Sequence, residues 1–384
     1  MTDRSAEATD ARLDVSFIDL SAQRARLGDR IDKALAGVLA HGRFILGPEV
    51  TRLEEQLCSF AGVDHTISCA NGTDALVLAM MALEVGAGDA VLVPSFTFSA
   101  SAESVVLAGA TPVFVDVLEH TFNIDPLGLH AGLEAARDSG LRPRALMSVD
   151  LFGQPADYDA LAAFCDDNGL VLIDDAAQSF GGAYHGARIG TLAAITTTSF
   201  FPSKPFACYG DGGAVFTDDE RLAELMRSLR VHGQGANKYD NVRIGMNSRL
   251  DSLQAAILIE KLSIFEDEIA SRQAVADRYT EGLRDVVVAP TVIEGVASAW
   301  ALYTIRIRDG RRDDVQRALG EVGVPSVAYY PRPLHRQPAY AHYPVAGDLA
   351  VSARLCAEVL SIPMHPYIAS GVQDAIIDVI RAQV

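Results

Sequence analysis

The sequence predicts an α/β protein whose helices cover a largely parallel sheet, with a smaller α/β domain after it. Short apolar segments typical of strands alternate with segments of helical periodicity between residues 65 and 218. The chain has 384 residues, 49% of them hydrophobic, which is enough for one large core and a second, smaller one. From Ser248 onward, apolar residues recur at helical spacing over a long stretch that would connect the two.

The predicted elements follow one another in the order that a parallel sheet requires. The predicted strands are segments 65–70, 90–96, 111–117, 144–152, 170–174, 196–201 and 212–218. Helices are predicted over 73–84, 99–109 and about 157–168, with the long helix over 248–279. A strand at 300–309 and a final helix at 372–384 belong to the second unit. We therefore expect a flexible lead at 1–14, a large domain at 15–260 and a small domain at 261–384.

Charge and cysteine content exclude several classes of protein. The 50 acidic residues outnumber the 32 Lys and Arg, giving a net charge of -18 that repels nucleic acid and anionic membranes. Five scattered cysteines without a CxxC pair argue against a disulfide framework and against a zinc site. No apolar run approaches the length of a membrane span. We expect a cytoplasmic protein without a metal.

A strand followed directly by a helix occurs at ANGTDAL (70–76). Gly72 permits the tight turn, and the first N–H groups of the helix lack internal partners, so this end suits a phosphate. Thr73 adds a hydroxyl donor. Taken alone, the segment is better explained by Asn71 or Thr73 acting as an ordinary helix cap.

Two carboxylates follow a buried strand in LIDDAAQSFGG (172–182). Asp174 and Asp175 lie where ligands bind in open α/β sheets, at the carboxyl ends of the strands. A carboxylate there can keep a pyridine nitrogen protonated, and Gln178 can hydrogen-bond a phenolic oxygen of the same ring. A helix cap plus a solvated acid explains this segment alone about as well.

A lysine lies between two apolar strands in TSFFPSKPFACYGDGGAV (198–215). Aromatic residues, prolines and small residues surround Lys204, which suggests a partly desolvated amine with a lowered pKa that can attack an aldehyde. Ser199 precedes it. Further on, Asn247 and Arg249 stand in RIGMNSRLDSLQAA (243–256), where the long helix begins.

Taken together and in this order, these segments resemble the DegT/DnrJ/EryC1/StrS family of sugar aminotransferases, which are fold-type I enzymes that depend on pyridoxal 5'-phosphate. The resemblance extends from FIDLSAQRARLGDRID (17–32) to YYPRPLHRQPAY (329–340) and LSIPMHPY (360–367). It implies that Lys204 holds the cofactor as a Schiff base and that Asp175 pairs with the pyridine nitrogen. Asp174 replaces the usual Glu of the family's E-D-A-A-Q motif.

The resemblance also implies roles for the remaining site residues. Gly72, Thr73 and Ser199 would contact the cofactor phosphate, Phe98 would stack on the ring and Gln178 would lie near its 3-oxygen. Asn247 would reach the cofactor of a neighbouring subunit, which implies a homodimer with shared active sites. The segments that contain Arg249, Tyr330 and His335 line the substrate pocket in relatives.

The amino-acid sequences of these motifs are most similar to those of enzymes that aminate UDP-2-acetamido-2-deoxy-3-oxo-glucuronate. The implied reaction moves the amino group of L-glutamate to a keto-sugar nucleotide, in the biosynthesis of amino sugars or cell-surface polysaccharide. Two positions depart from those enzymes: Tyr329 replaces a common His, and Arg43 a frequent Gln. Six basic side chains are candidates for binding an anionic substrate, namely Arg43, Lys238, Arg243, Arg249, Arg332 and Arg336.

Three alternatives remain. A 4-keto sugar aminotransferase of the perosamine type differs only weakly in sequence. A pyridoxamine-dependent dehydratase would carry His where this chain has Lys204. A non-catalytic regulatory protein on the same fold would not need the set formed by Lys204, Asp175 and Gln178.

Overall fold

A computed structural model describes residues 12–237 and 239–384, and Lys238 lies outside the described residues. The central sheet and a small ribbon beside it account for the first nine strands. These are β1 (His65–Cys69), β2 (Asp89–Pro94), β3 (Thr111–Val115), β4 (Arg142–Val149), β5 (Val171–Asp175), β6 (Ala183–Tyr184), β7 (Ala187–Arg188), β8 (Ile195–Ser199) and β9 (Gly213–Thr217). The seven predicted strands are confirmed, with ends that differ by up to three residues.

The central sheet has seven strands in the order β1-β9-β8-β5-β4-β2-β3. Strands β8, β5, β4, β2 and β3 pair in parallel, so the prediction of a mostly parallel sheet is confirmed. Strand β9 runs antiparallel to both of its neighbours, β1 and β8. A loop over 200–212 joins β8 to β9 without a crossover helix, and such a direct connection produces an antiparallel pair. That loop contains Lys204.

Helices cover both faces of the sheet and build the second unit. They are α1 (Leu20–Leu27), α2 (Arg30–His41), α3 (Pro48–Ala61), α4 (Gly72–Ala82), α5 (Ser99–Leu107), α6 (Leu129–Asp138), α7 (Tyr158–Asn168), α8 (Glu220–Leu229), α9 (Ser252–Leu283), α10 (Arg312–Glu321), α11 (Ala350–Glu358) and α12 (Ser370–Arg381). The predictions for α4, α5, α7, α9 and α12 are confirmed. No helix was predicted for the positions of α1 to α3, α6, α8, α10 and α11.

A second core lies in the C-terminal part of the chain. Strands β11 (Tyr303–Arg306) and β12 (Val359–Ile362) pair antiparallel there, and β10 (Val296–Ala297) joins β6 instead. Helix α9 contributes Leu258 and Phe265 to the core beside the large sheet, and Tyr279 and Leu283 to the second core. The predicted boundary at 260/261 therefore falls inside a helix that both cores share.

The N-terminal segment of the described chain packs against the second core and not against the first. The Leu13 backbone N–H donates to the Val322 carbonyl over 2.8 Å, and residues 1–11 of the predicted lead lie outside the described residues. Among residues 12–237 and 239–384, no helix combines the length and apolar character needed to cross a membrane.

Candidate active site

A cavity of about 1140 Å³ opens at the carboxyl ends of the parallel strands. Its walls come from residues just after β1, β2, β5 and β8, because parallel strands end at one edge of the sheet. The loop with Lys204 and the segment 328–340, which follows the second core's first strand, close the remaining sides. The fold thus brings together residues that are far apart in sequence.

The start of α4 forms one end of the cavity. Gly72 is its first residue, and the Asn71 side chain caps the helix by accepting from the Asp74 backbone N–H over 2.8 Å. A Cβ added at Gly72 would lie 2.6 Å from the Cβ of Ser199, so only glycine lets the two segments approach this closely. Thr73 and Ser199 also line the cavity. Free N–H groups, the helix dipole and two hydroxyls suit a phosphate.

Asp175, at the end of β5, is 6% exposed and lines the cavity. Its Oδ2 accepts from Ser101 Oγ over 2.8 Å, and its Oδ1 accepts from the Ala177 backbone N–H over 3.3 Å. Burial raises the pKa of Asp175, while the Ser101 hydrogen bond and the charge of Lys204 oppose that rise. The two hydrogen bonds favour the ionised carboxylate, which is the form that pairs with a protonated ring nitrogen.

Lys204 lies in the loop between β8 and β9, with its side chain partly buried in the cavity wall. Burial lowers the pKa of its amine, and the charge of Asp175 acts in the opposite direction. The loop is held at both ends, by Phe200 N–H donating to the Gly212 carbonyl and Cys208 N–H donating to the Phe200 carbonyl, each over 2.8 Å. A positioned amine with a lowered pKa is the nucleophile that an aldehyde cofactor requires.

Two aromatic side chains and an amide complete the wall around Lys204. Phe98 is 54% exposed, with its ring centroid 6.3 Å from that of Tyr330. Gln178 Oε1 accepts from the Phe152 backbone N–H over 2.6 Å, which fixes the orientation of its amide. All three residues line the cavity, so a flat ring bound there would meet an aromatic face and an amide donor.

Other predicted site residues lie outside the cavity of their own chain. Asn247 is exposed, Arg249 is half-buried, and neither lines the cavity. The His335 ring is also absent from the lining; its Nδ1 is 2.6 Å from Ser95 Oγ, and burial lowers its pKa. Their roles in binding remain predictions.

The sequence reasoning missed Ser101, which holds Asp175, and Asp211, which lines the cavity. Ser101 lies three residues after Phe98, which the resemblance places on the ring. Two serines, Ser101 and Ser104, lie among the apolar buried residues of α5, and they were the available signal because buried hydroxyls are normally paired.

The family model for the DegT/DnrJ/EryC1/StrS aminotransferase family matches residues 25–381. The chain belongs to this family. It is 48% identical to the UDP-2-acetamido-2-deoxy-3-oxo-D-glucuronate aminotransferase of Pseudomonas aeruginosa, over 92% of this chain and 96% of that protein. A crystal structure of a family member from Brucella abortus superposes with a TM-score of 0.94 at 50% identity, covering 96% of this chain and 99% of that one.

A more distant relative has been solved with its cofactor. The NtdA structure from Bacillus subtilis, with bound cofactor PMP, superposes with a TM-score of 0.84 at 28% identity over 95% of this chain and 82% of that one. Family membership makes this protein a pyridoxal-phosphate-dependent aminotransferase. The prediction of fold and cofactor is confirmed.

The residues present fit that cofactor. The cradle that a Cβ at Gly72 would fill suits the phosphate, and the buried Asp175 carboxylate suits the pyridine nitrogen. Lys204 faces the same cavity as both and suits the aldehyde. When bound, the cofactor supplies an electron sink for charge that develops at the carbon bonded to the amino group.

Proposed function

We propose that this protein transfers the amino group of L-glutamate to a keto-sugar nucleotide, and that the acceptor is UDP-2-acetamido-2-deoxy-3-oxo-glucuronate or a related 3-keto sugar. The observation that carries the proposal is 48% identity to an enzyme of that name over nearly the whole of both chains. Lys204, Asp175 and Gln178 around one cavity support the chemical part of the proposal.

Lys204 and Asp175 have different roles in the proposed reaction. With the cofactor bound, the Lys204 amine would accept a proton from the donor's Cα as a base and would give that proton back as an acid. Its lowered pKa keeps a useful neutral fraction for the first step. Asp175 holds the ring-nitrogen proton in place, and burial of this pair excludes water that would screen it.

The cavity has room for more than the cofactor. Its volume of about 1140 Å³ exceeds the upper end of the range of roughly 300–1000 Å³ that is common for small-ligand pockets. Space beyond the cofactor is what a nucleotide-bound sugar requires. The apolar and aromatic wall formed by Phe98, Tyr329 and Tyr330 suits the faces of a sugar ring.

We also propose a cytoplasmic homodimer in which each subunit completes the other's site. Asn247 and Arg249 support this proposal because they stand outside their own chain's cavity, although the family resemblance assigns them to ligand binding. The exposed apolar side chains Phe44, Ile45, Tyr239 and Ile244 offer surface that a second copy would bury. Five free cysteines suit a reducing compartment.

The test is an acceptor panel with L-glutamate as donor. The 3-keto sugar nucleotides, with and without the carboxylate, are compared with 4-keto sugar nucleotides, and products are identified by mass spectrometry and NMR. The proposal predicts the highest kcat/KM with a 3-keto acceptor. A preference for 4-keto acceptors would replace the substrate with the perosamine type, and no transfer to any keto sugar would overturn the proposed function.

A further inference from the structure

The walls of the cavity contain few cations. Among the described residues, the basic side chains that line it are Lys204 and Arg332, and the acidic ones are Asp175 and Asp211. Lys204 is committed to the cofactor. Of the other cations predicted for an anionic substrate, Arg43, Arg243, Arg249 and Arg336 do not line the cavity of their own chain.

The backbone around Arg332 is firmly placed at the rim. Prolines flank it on both sides, and the Leu334 backbone N–H donates to the Ser95 carbonyl over 2.8 Å. The neighbouring His335 ring contacts Ser95 Oγ over 2.6 Å. These contacts tie the segment that contains Arg332 to the turn after β2, so the backbone of Arg332 is held beside the cavity and not on a free loop.

The Arg332 side chain itself is unengaged. It is exposed, and it makes no ion pair and no side-chain hydrogen bond with any residue in 12–237 or 239–384. Most arginines near acidic groups in this chain are paired, as Arg306 is with Glu119 and Glu358. An unpaired guanidinium at the mouth of a cavity retains all its donors for an incoming ligand.

We propose that Arg332 binds the diphosphate of the sugar nucleotide and that this contact raises the affinity for the nucleotide. This inference rests on the proposed function. The keto carbon must reach Lys204, which is partly buried, so the nucleotide end points to the exposed rim where Arg332 lies. The diphosphate connects the two ends, and the planar guanidinium offers two parallel donors to its oxygens.

The experiment uses the cofactor-loaded enzyme and three variants: Arg332→Gln, Arg332→Lys and the control Arg336→Gln. Arg336 is exposed in the same segment but does not line the cavity. Calorimetry measures binding of UDP and of uridine, and stopped-flow absorbance measures the half-reaction with L-glutamate. A second pair of ligands, UDP-N-acetylglucosamine and UDP-N-acetylglucosaminuronate, separates the effect of the diphosphate from that of the sugar carboxylate.

Arg332→Gln is expected to weaken UDP binding at least about tenfold, with Arg332→Lys in between, since one charge-assisted contact is lost. Uridine binding, the glutamate half-reaction and the Arg336→Gln variant are expected to be unchanged. Unaltered UDP affinity in Arg332→Gln overturns the proposal, as does a defect limited to the carboxylated ligand or to glutamate. In each of those cases the wild type still aminates a keto sugar; if it aminates none, the proposed function fails as well.

Discussion

Ser101 donates a hydrogen bond from its hydroxyl to the Asp175 carboxylate over 2.8 Å, in a fully buried setting. This bond favours the ionised form of Asp175 against the burial that raises its pKa. Ser101→Ala is expected to raise the pKa of Asp175 further, so activity on the acid side should be lost at higher pH than in the wild type. Cofactor affinity and kcat should fall about tenfold, since a bond to a charged group is removed.

The matched control is Ser104→Ala. Ser104 is buried on the same helix and donates only to the Ser101 carbonyl. A pH–rate profile and an absorbance titration of the cofactor measure both variants. If the two variants behave alike, or if Ser101→Ala leaves the acid limb in place, the hydrogen bond does not support Asp175 as described.

Gly72 allows α4 to begin against Ser199. Gly72→Ala would place a Cβ 2.6 Å from the Ser199 Cβ, so the helix start or the strand end must shift. Overpacking of this kind costs about 1–3 kcal/mol of unfolding free energy, and the displaced N–H groups should weaken cofactor binding.

Gly37→Ala is the matched control for that variant. Gly37 lies inside α2 with nothing within 4 Å of a new Cβ, so alanine should stabilise the protein by about 1 kcal/mol. Urea denaturation and cofactor titration measure both changes. Normal cofactor affinity in Gly72→Ala would show that the phosphate does not depend on this cradle.

A second carboxyl, Asp174, is fully buried near Asp150. Neither of its oxygens has a partner among the described residues, whereas Asp150 accepts from Ala156 N–H, Tyr158 Oη and Ser179 Oγ. Burial, reinforced by the charge of Asp150, raises the pKa of Asp174 well above its ordinary value. Burial also raises the pKa of Asp150, to about 7, although its three hydrogen bonds oppose that rise. We therefore assign the more tightly held proton of the pair to Asp174.

That assignment predicts a pH-dependent effect of Asp174→Asn. A raised folded-state pKa contributes stability below about pH 4 that is lost as the pH rises toward the folded value. Asparagine does not titrate, so Asp174→Asn does not lose this stability. The unfolding free energy of the variant should therefore rise relative to that of the wild type between pH 4 and 8, by more than about 1 kcal/mol. The exposed Asp138→Asn should show a constant difference. A gap for Asp174→Asn that narrows with pH would contradict the assignment.

The proposed shared sites predict complementation between inactive variants. Lys204→Ala and Asn247→Ala proteins, each nearly inactive, should recover partial activity when they are mixed and allowed to exchange subunits, because one site of the mixed dimer is intact. Lys204→Ala mixed with Asp175→Ala should stay inactive, since each defect removes a different site. Recovery in both mixtures, or in neither, would argue against a role of Asn247 in the neighbouring site.

Local patterns predicted the sheet well because its strands are short runs of apolar or β-branched residues bounded by glycine or polar residues. The antiparallel direction of β9 was harder to predict from the sequence, because it depends on whether the connection from β8 crosses the sheet. Helix α1 has a polar sequence with weak periodicity, and it owes part of its position to the contact of Gln23 with Glu268, 245 residues away. Pattern reasoning has no access to such a contact.

The candidate site divides in the same way. Lys204, Asp175 and Gly72 follow strand ends, so topology alone places them together. Ser101 and Arg332 depend on how α5 and the segment 328–340 pack against the sheet. The sequence offered six cations for the substrate. Of the five that lie within the described residues, Arg332 lines the cavity.

The identity of the amine that holds the cofactor is the central claim, and this chain makes it simple to test. It has four lysines: Lys33, Lys204, Lys238 and Lys261. Lys261 is the second buried amine, and burial lowers its pKa to about 8, but it donates to the Ala207 carbonyl over 2.7 Å and does not line the cavity. Borohydride reduction of the cofactor-loaded enzyme, followed by peptide mass spectrometry, should find the cofactor attached to Lys204. Attachment to Lys261 or to either other lysine, or no attachment at all, would contradict the account.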